Sequence, residues 1–117
     1  MRLLIIAASD PYAHQHAQEL LDAMLVAATF GAEVSLLFQD AGILQLLPDQ
    51  SSELLGRRSL SRQLDALPLF DIERVYVDLN ALGQLGLKTL DLALPVMALD
   101  SQEMAALVAV HDQVIRA

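Results

Sequence analysis

The chain contains no cysteine. Disulfides, thiolate zinc sites and thiol nucleophiles are therefore excluded. Basic residues are scarce: 7 Lys and Arg stand against 15 Asp and Glu, giving a formal charge of −8. Phosphate backbones are bound through Lys and Arg with release of counterions. The chain alone is therefore a poor nucleic-acid binder, and no direct nucleic-acid contact is expected. Its one basic cluster, Arg57, Arg58 and Arg62, reads better as the solvated start of a helix than as a small anion site.

Other absences narrow the field further. No stretch approaches the ~18 uninterrupted apolar residues of a membrane span. The opening "MRLLIIAASD" imitates a signal peptide. Its apolar run ends at Asp10, at the short limit of a ~7–15-residue signal core, and then passes into a helical pattern. A buried strand and a cytoplasmic protein are the expectation. "SDPYAHQH" has neither a Walker lysine nor GxGxxG spacing, so nucleotide binding by those modes is disfavoured. His14 and His16 are two apart and would point to different sides of a helix. His111 has only Asp112 as a nearby ligand-type residue. Surface or capping histidines fit better than a metal site, given the ligands zinc demands. Neither a metal nor any other cofactor is expected.

What the chain does have is apolar mass. Hydrophobic residues make up 55%, above the usual ~45–50%. A chain of 117 residues fits one domain, residues 1–117, and buries roughly two thirds of its unfolded surface. The surplus suits a sheet covered on both faces or a subunit interface. Leu3 to Ala8 is a continuous apolar run, the pattern of a central parallel strand. Ser9-Asp10-Pro11 breaks it, and a helix from near His14 to Phe30 follows, stopped by Gly31. Its second half, "AMLVAATF", carries no charge. A helix apolar all round is buried all round, so this part, including Met24 and Leu25, implies a second cover, expected to be another subunit.

Glu33 to Phe38 reads as a second strand. "SSELLGRRSLSRQLDAL" is a helical region with Ser51 or Ser52 as cap. "DIERVYVD" alternates, as a strand half-exposed or near an edge does. "LNALGQLG" is a short helix ended by Gly86. "PVMAL" is a further strand, Ser101-Gln102-Glu103 opens a last helix to about Val110, and Val114-Ile115 suits a final short strand. Strands alternating with helices predict an α/β three-layer sandwich with a mostly parallel, flavodoxin-like sheet, in order 2-1-3-4-5. Ligands of such sheets sit beyond the strand carboxyl ends, at the switch point. That makes Ser9, Asp10 and Tyr12 candidates for one pocket rim, with Asn80 and Asp78 opposite. Ser9, Asp10 and His14 also outline a nucleophile and base, but the GxSxG elbow is missing, and helix capping explains Ser9 and Asp10 more simply. Tyr12 serves equally for packing.

"FQDAGILQLLPDQ", Phe38 to Gln50, is too apolar for an ordinary loop. Four side chains in one helical turn, Ile43, Leu44, Leu46 and Leu47, cannot all face a single core. Periodicity leaves an irregular segment under its own sheet and a partner-facing surface evenly matched.

At these residues the chain resembles the DsrE/DsrF family of sulfur-relay proteins, within it the TusC/DsrF type. Asp40, Gly42, Gln45, Leu46, Leu47, Pro48 and Gln50 match that type's pattern after strand two. Leu69, Asp71, Ile72, Glu73 and Val75 match its pattern before strand three, and "ELLDAMLVAATF" is similar to its first helix. The likeness spans nearly the whole chain. Where family members often carry glycines after strand one, this chain reads Tyr12-Ala13-His14. The resemblance implies a non-catalytic, structural or regulatory subunit of a TusBCD-like heterohexamer, two copies each of three related chains. Its partners would be TusB-like and TusD-like (DsrH/DsrE-type) subunits. The assembly would relay persulfide towards 2-thiolation of the tRNA wobble uridine, or serve sulfur oxidation in the other branch. A persulfide needs a thiolate sulfur, and this chain has none, so it cannot itself carry the sulfur. The resemblance tilts Ile43, Leu44, Gln45, Leu46 and Leu47 towards a subunit contact. The competing expectation is a stand-alone homo-oligomer binding a small metabolite.

Overall fold

The computed structural model describes residues 1–8, 16–46, 72, 74–92 and 95–116. In chain order these form β1 (Arg2–Ala7), α1 (His16–Thr29), β2 (Glu33–Phe38), a 3-10 segment (Asp40–Leu46), β3 (Arg74–Asp78) and α2 (Leu79–Gln84). A 3-10 turn (Thr89–Asp91), β4 (Met97–Leu99), α3 (Ser101–Ala109) and β5 (Gln113–Arg116) follow. The helix expected over 51–67 lies outside the described residues.

The five strands form one parallel sheet in the order β4-β3-β2-β1-β5. The α/β architecture is as expected; the order 2-1-3-4-5 is not. The run from Leu3 to Ala7 requires a parallel neighbour on each side of β1, and it has them in β2 and β5. Apolarity alone cannot say which strands those neighbours are. β1 to β4 advance in one direction, and only the β4-to-β5 crossover reverses it. Right-handed crossovers then put α1 and α2 on one face and α3 on the other.

The core divides the same way. Leu3, Ile5, Ala7, Val34, Leu36, Phe38, Val75 and Val77 point to the first face, packed with Met24 of α1, Ile43 and Leu46 of the 3-10 segment, and Ala81 and Leu82 of α2. Leu4, Ile6 and Leu37 point to the second, against Tyr76 and against Met104 and Leu107 of α3. Alternation along each strand is what a pleated backbone imposes. Because both alternations are apolar in β1, the sequence reads there as one unbroken run.

The helix ends carry local chemistry. Gly31, at φ 92°, stops α1, and the Ala32 N–H reaches back to the Ala27 carbonyl at 3.2 Å. This is a left-handed cap that a glycine adopts without strain. α2 closes likewise at Gly86, with Leu87 N–H donating to the Leu82 carbonyl at 3.1 Å. α3 is capped by Asp100, one residue earlier than expected. Asp100 Oδ1 accepts from Glu103 N–H at 2.8 Å, and Glu103 Oε1 accepts from Asp100 N–H at 3.1 Å. The pair is a reciprocal capping box.

Gly42 has a different task. Its N–H donates to the Gln39 carbonyl at 2.9 Å, while the Gln39 N–H donates to Ala7 O at 2.9 Å. A Cβ on Gly42 would sit 2.0 Å from that same Ala7 oxygen and 2.6 Å from its carbonyl carbon. The loop after β2 therefore lies backbone to backbone on the end of β1, and only glycine permits it.

Two mutational outcomes follow. Gly42→Ala should lower unfolding stability by roughly 2 kcal/mol or more in urea denaturation, because backbone atoms must part. Gly83→Ala, where an added Cβ meets nothing within 4 Å, should be neutral or stabilise by up to about 1 kcal/mol; equal losses at both positions would contradict the packing described. Ser35 is fully buried, and among the described residues its hydroxyl finds no hydrogen-bond partner. An orphaned buried hydroxyl costs about 1–3 kcal/mol, so Ser35→Ala should raise Tm, by about 3–6 °C for each kcal/mol recovered in a chain of this size. A lowered Tm would show that the hydroxyl is satisfied in solution.

Candidate functional site

The carboxyl ends of the strands form the rim where α/β sheets bind ligands. Ser9, Asp10 and Tyr12 lie outside the described residues. Asn80 is described and exposed. It lines a cleft of about 480 Å³ with Leu79, Gly83, Gln84, Asp100 and Ser101, between the starts of α2 and α3. The strand order sets this cleft away from β1. With β2 between β1 and β3, the ends of β1 and β3 are about 10 Å apart, twice the strand spacing. Asn80 thus does not face the end of a neighbouring β1, as the expected order would have had it.

The polar groups around the cleft are largely engaged in local structure. Asp78 Oδ1 accepts from Asn80 N–H at 3.0 Å and Ala81 N–H at 3.3 Å, capping α2. Asp100 caps α3. Among the described residues the lining contains one carboxylate, one hydroxyl and two amides, and no histidine, lysine or arginine. Such a wall offers hydrogen bonds. Its one carboxylate, Asp100, is engaged in capping α3.

The residues expected at a subunit interface separate into two groups. Met24, Ile43 and Leu46 have no accessible surface in the single chain and sit in its first-face core. A side chain with nothing exposed has nothing left to bury against a partner, so these three are corrected from interface to core. Leu25 and Leu44 are half-buried. The Gln45 side chain and Leu47 lie outside the described ones. The 3-10 geometry explains why the loop is so apolar: it is a short lid over the ends of β1 and β2, pinned by Gly42.

Exposure shows up elsewhere instead. Val26 is 56% exposed and Phe30, four residues on, is 86% exposed. These belong to the charge-free end of α1 and the turn just after it, where a second cover was expected. The sequence pattern located the segment but, being apolar all round, could not say which of its side chains face inward. His111 behaves as a capping residue: its Nδ1 is 2.7 Å from the Leu107 carbonyl in the last turn of α3. Among the described residues no three His, Asp or Glu side chains gather as a metal would require, and no helix is long and apolar enough to cross a membrane.

The chain is similar to known proteins along its whole length. A family model described as "DsrE/DsrF-like family" matches residues 1–117. The TusC homolog of Pseudomonas aeruginosa is 39% identical over 113 residues, covering 97% of this chain and 95% of that protein. The intracellular sulfur oxidation protein DsrF of Allochromatium vinosum is 34% identical over 82 residues, 70% of this chain and 60% of its own length. Among solved structures, the ychN protein of E. coli superposes with a TM-score of 0.85 over 100% of this chain and 99% of its own, at 18% identity, a likeness of fold. On the family match and the relative at 39% identity, the chain belongs to the DsrE/DsrF-like family.

Proposed function

We propose that this chain is a cysteine-free, TusC-type subunit of a TusBCD-like sulfur-relay heterohexamer, two copies each of three related chains. In this reading the assembly passes persulfide towards 2-thiolation of the tRNA wobble uridine. The observation that carries the reading is the pairing of end-to-end similarity to a TusC homolog with the absence of cysteine. Persulfide transfer proceeds from thiolate to thiolate. A chain without sulfur nucleophiles can shape and hold such a path but cannot occupy a step of it. Its role is therefore structural or regulatory, and the sulfur-carrying cysteine belongs to a TusD-like partner, with a TusB-like chain as the third member. The surplus of 15 acids over 7 bases assigns tRNA contact to other components. In this reading the relay works in the cytoplasm.

The similarity to DsrF supports a second reading, in which the same subunit type serves a sulfur-oxidation assembly. Genes beside this one decide between them: thiolation enzymes favour the first, sulfur-oxidation enzymes the second.

The contact surface we assign to the relay partners is the exposed side at the end of α1, carried by Val26 and, just past the helix, Phe30, and flanked by half-buried Leu25. Co-expression with TusB-like and TusD-like chains should give a complex with equal copies of each. A chain that stays separate from both would contradict the reading. Phe30→Asp and Val26→Asp should sharply reduce co-purification while shifting the chain's own stability by no more than about 0.5 kcal/mol, as exposed positions do. Leu46→Asp should do the opposite first, unfolding the chain, because it buries an unpaired charge in the core. Loss of assembly with full stability in Leu46→Asp would return that residue to the interface.

A further inference from the structure

We propose that β5 pairs antiparallel, across a two-fold axis, with β5 of a second copy of this chain. β5 is an edge strand of the sheet, and all four of its residues are exposed, Val114 at 38% and Ile115 at 40%. Edge strands are ordinarily guarded by lysine, proline or a bulge. "QVIR" has no lysine or proline and keeps an unbroken register with β1 from Gln113 to Arg116. Among the described residues nothing pairs with its outer edge.

The backbone fixes what that edge offers. The Asp112 N–H donates inward, to the Arg2 carbonyl at 2.9 Å. Further along, the register governs: Leu3, Ile5 and Ala7 turn their peptide groups to β2, so Leu4 and Ile6 bond to Gln113 and Ile115, and the peptide groups of Val114 and Arg116 face out. Two such edges meet best antiparallel with Val114 opposite Val114 of the second copy. The central valines then exchange both backbone hydrogen bonds with each other, and the flanking Gln113–Ile115 pairs are the non-hydrogen-bonded ones.

Charge selects the same register. Asp112 and Arg116 lie symmetrically about Val114, on the sheet face shared with Leu4 and Ile6. Antiparallel pairing centred on Val114 sets Asp112 of each copy opposite Arg116 of the other. Sliding the register by one hydrogen-bonding step either way removes both pairs. Arg116 has no ion-pair partner among the described residues. Asp112 uses Oδ2 to accept from Arg2 N–H at 2.7 Å, which leaves Oδ1 for the second copy. The same surface patch serves both subunits, as a two-fold interface requires. The pairing is independent of the relay reading, since it needs no other chain.

The absence of native cysteine makes the test clean. Val114→Cys in the full chain puts the two new sulfurs on residues whose Cα atoms are about 5.5 Å apart, within disulfide range. Oxidised glutathione, itself reduced to two thiols, should convert most of the protein to a covalent dimer. Gln113→Cys is displaced by two residues along the strand from its own copy, roughly 8 Å away, and should give less than about a tenth of that yield. Sedimentation of the unmodified chain should show a concentration-dependent dimer. Arg116→Glu, which sets like charges opposite at both ends, should raise the dimer Kd about tenfold. A Val114→Cys chain that is folded by circular dichroism yet cross-links no better than Gln113→Cys overturns the proposal. So does an unmodified chain that is monomeric at every concentration. In the co-purified complex, a disulfide from Val114→Cys to the same residue of a second copy supports it; protection of β5 by a different subunit overturns it.

Discussion

The burial of β1 on both faces is the constraint the rest of the structure satisfies. Leu4, Ile5 and Ile6 are at most 1% exposed. To hide both alternations of one strand, the sheet needs a parallel neighbour on each side and a layer above and below. β2 and β5 supply the neighbours, α1, α2 and the 3-10 segment one layer, and α3 the other. The 3-10 segment closes the top of the strand at the shortest approach that backbone atoms allow. For this reason Gly42 is tied to the fold more tightly than any glycine in a helix cap: a cap glycine relieves strain in one residue, whereas Gly42 sets the distance between two segments.

That closure bears on function. The loop at Gly42 lies directly against the end of β1, from which the chain continues into Ser9 and Tyr12. A segment that is core on its underside gives a rigid floor to whatever the rim does. A sequence pattern shared across a family need not mark a contact. Here Leu46 of that pattern, with Ile43 beside it, serves packing, and exposed apolar side chains lie elsewhere, Val26 and Phe30 among them.

The sequence was most informative where one physical requirement dominated. β1 was legible because only a two-face-buried strand reads as six apolar residues in a row. The ends of α1 and α2 were legible because Gly31 and Gly86 hold left-handed conformations. Strand order was not, because a parallel neighbour demands apolarity without specifying its source. The roles of Met24, Ile43 and Leu46 were not either: apolar residues suit a core and an interface equally, and only the path of the backbone separates them. For Asn80 the residue type was a fair guide to a cleft, but its position followed from the strand order, so it lies beside α3 and not beside β1. The orphaned hydroxyl of Ser35 had no signal at all, since a serine in a strand is as easily exposed as buried.

A subunit that shapes a relay without entering it makes one demand that no scaffold-free pathway shares. The direct measurement is reconstitution of labelled sulfur transfer through the TusD-like cysteine, with and without this chain, followed by mass analysis of each subunit. The account predicts that transfer to the acceptor falls steeply when this chain is left out, and that the chain itself never carries label. Transfer at the full rate in its absence, or label covalently bound to it, would contradict the account.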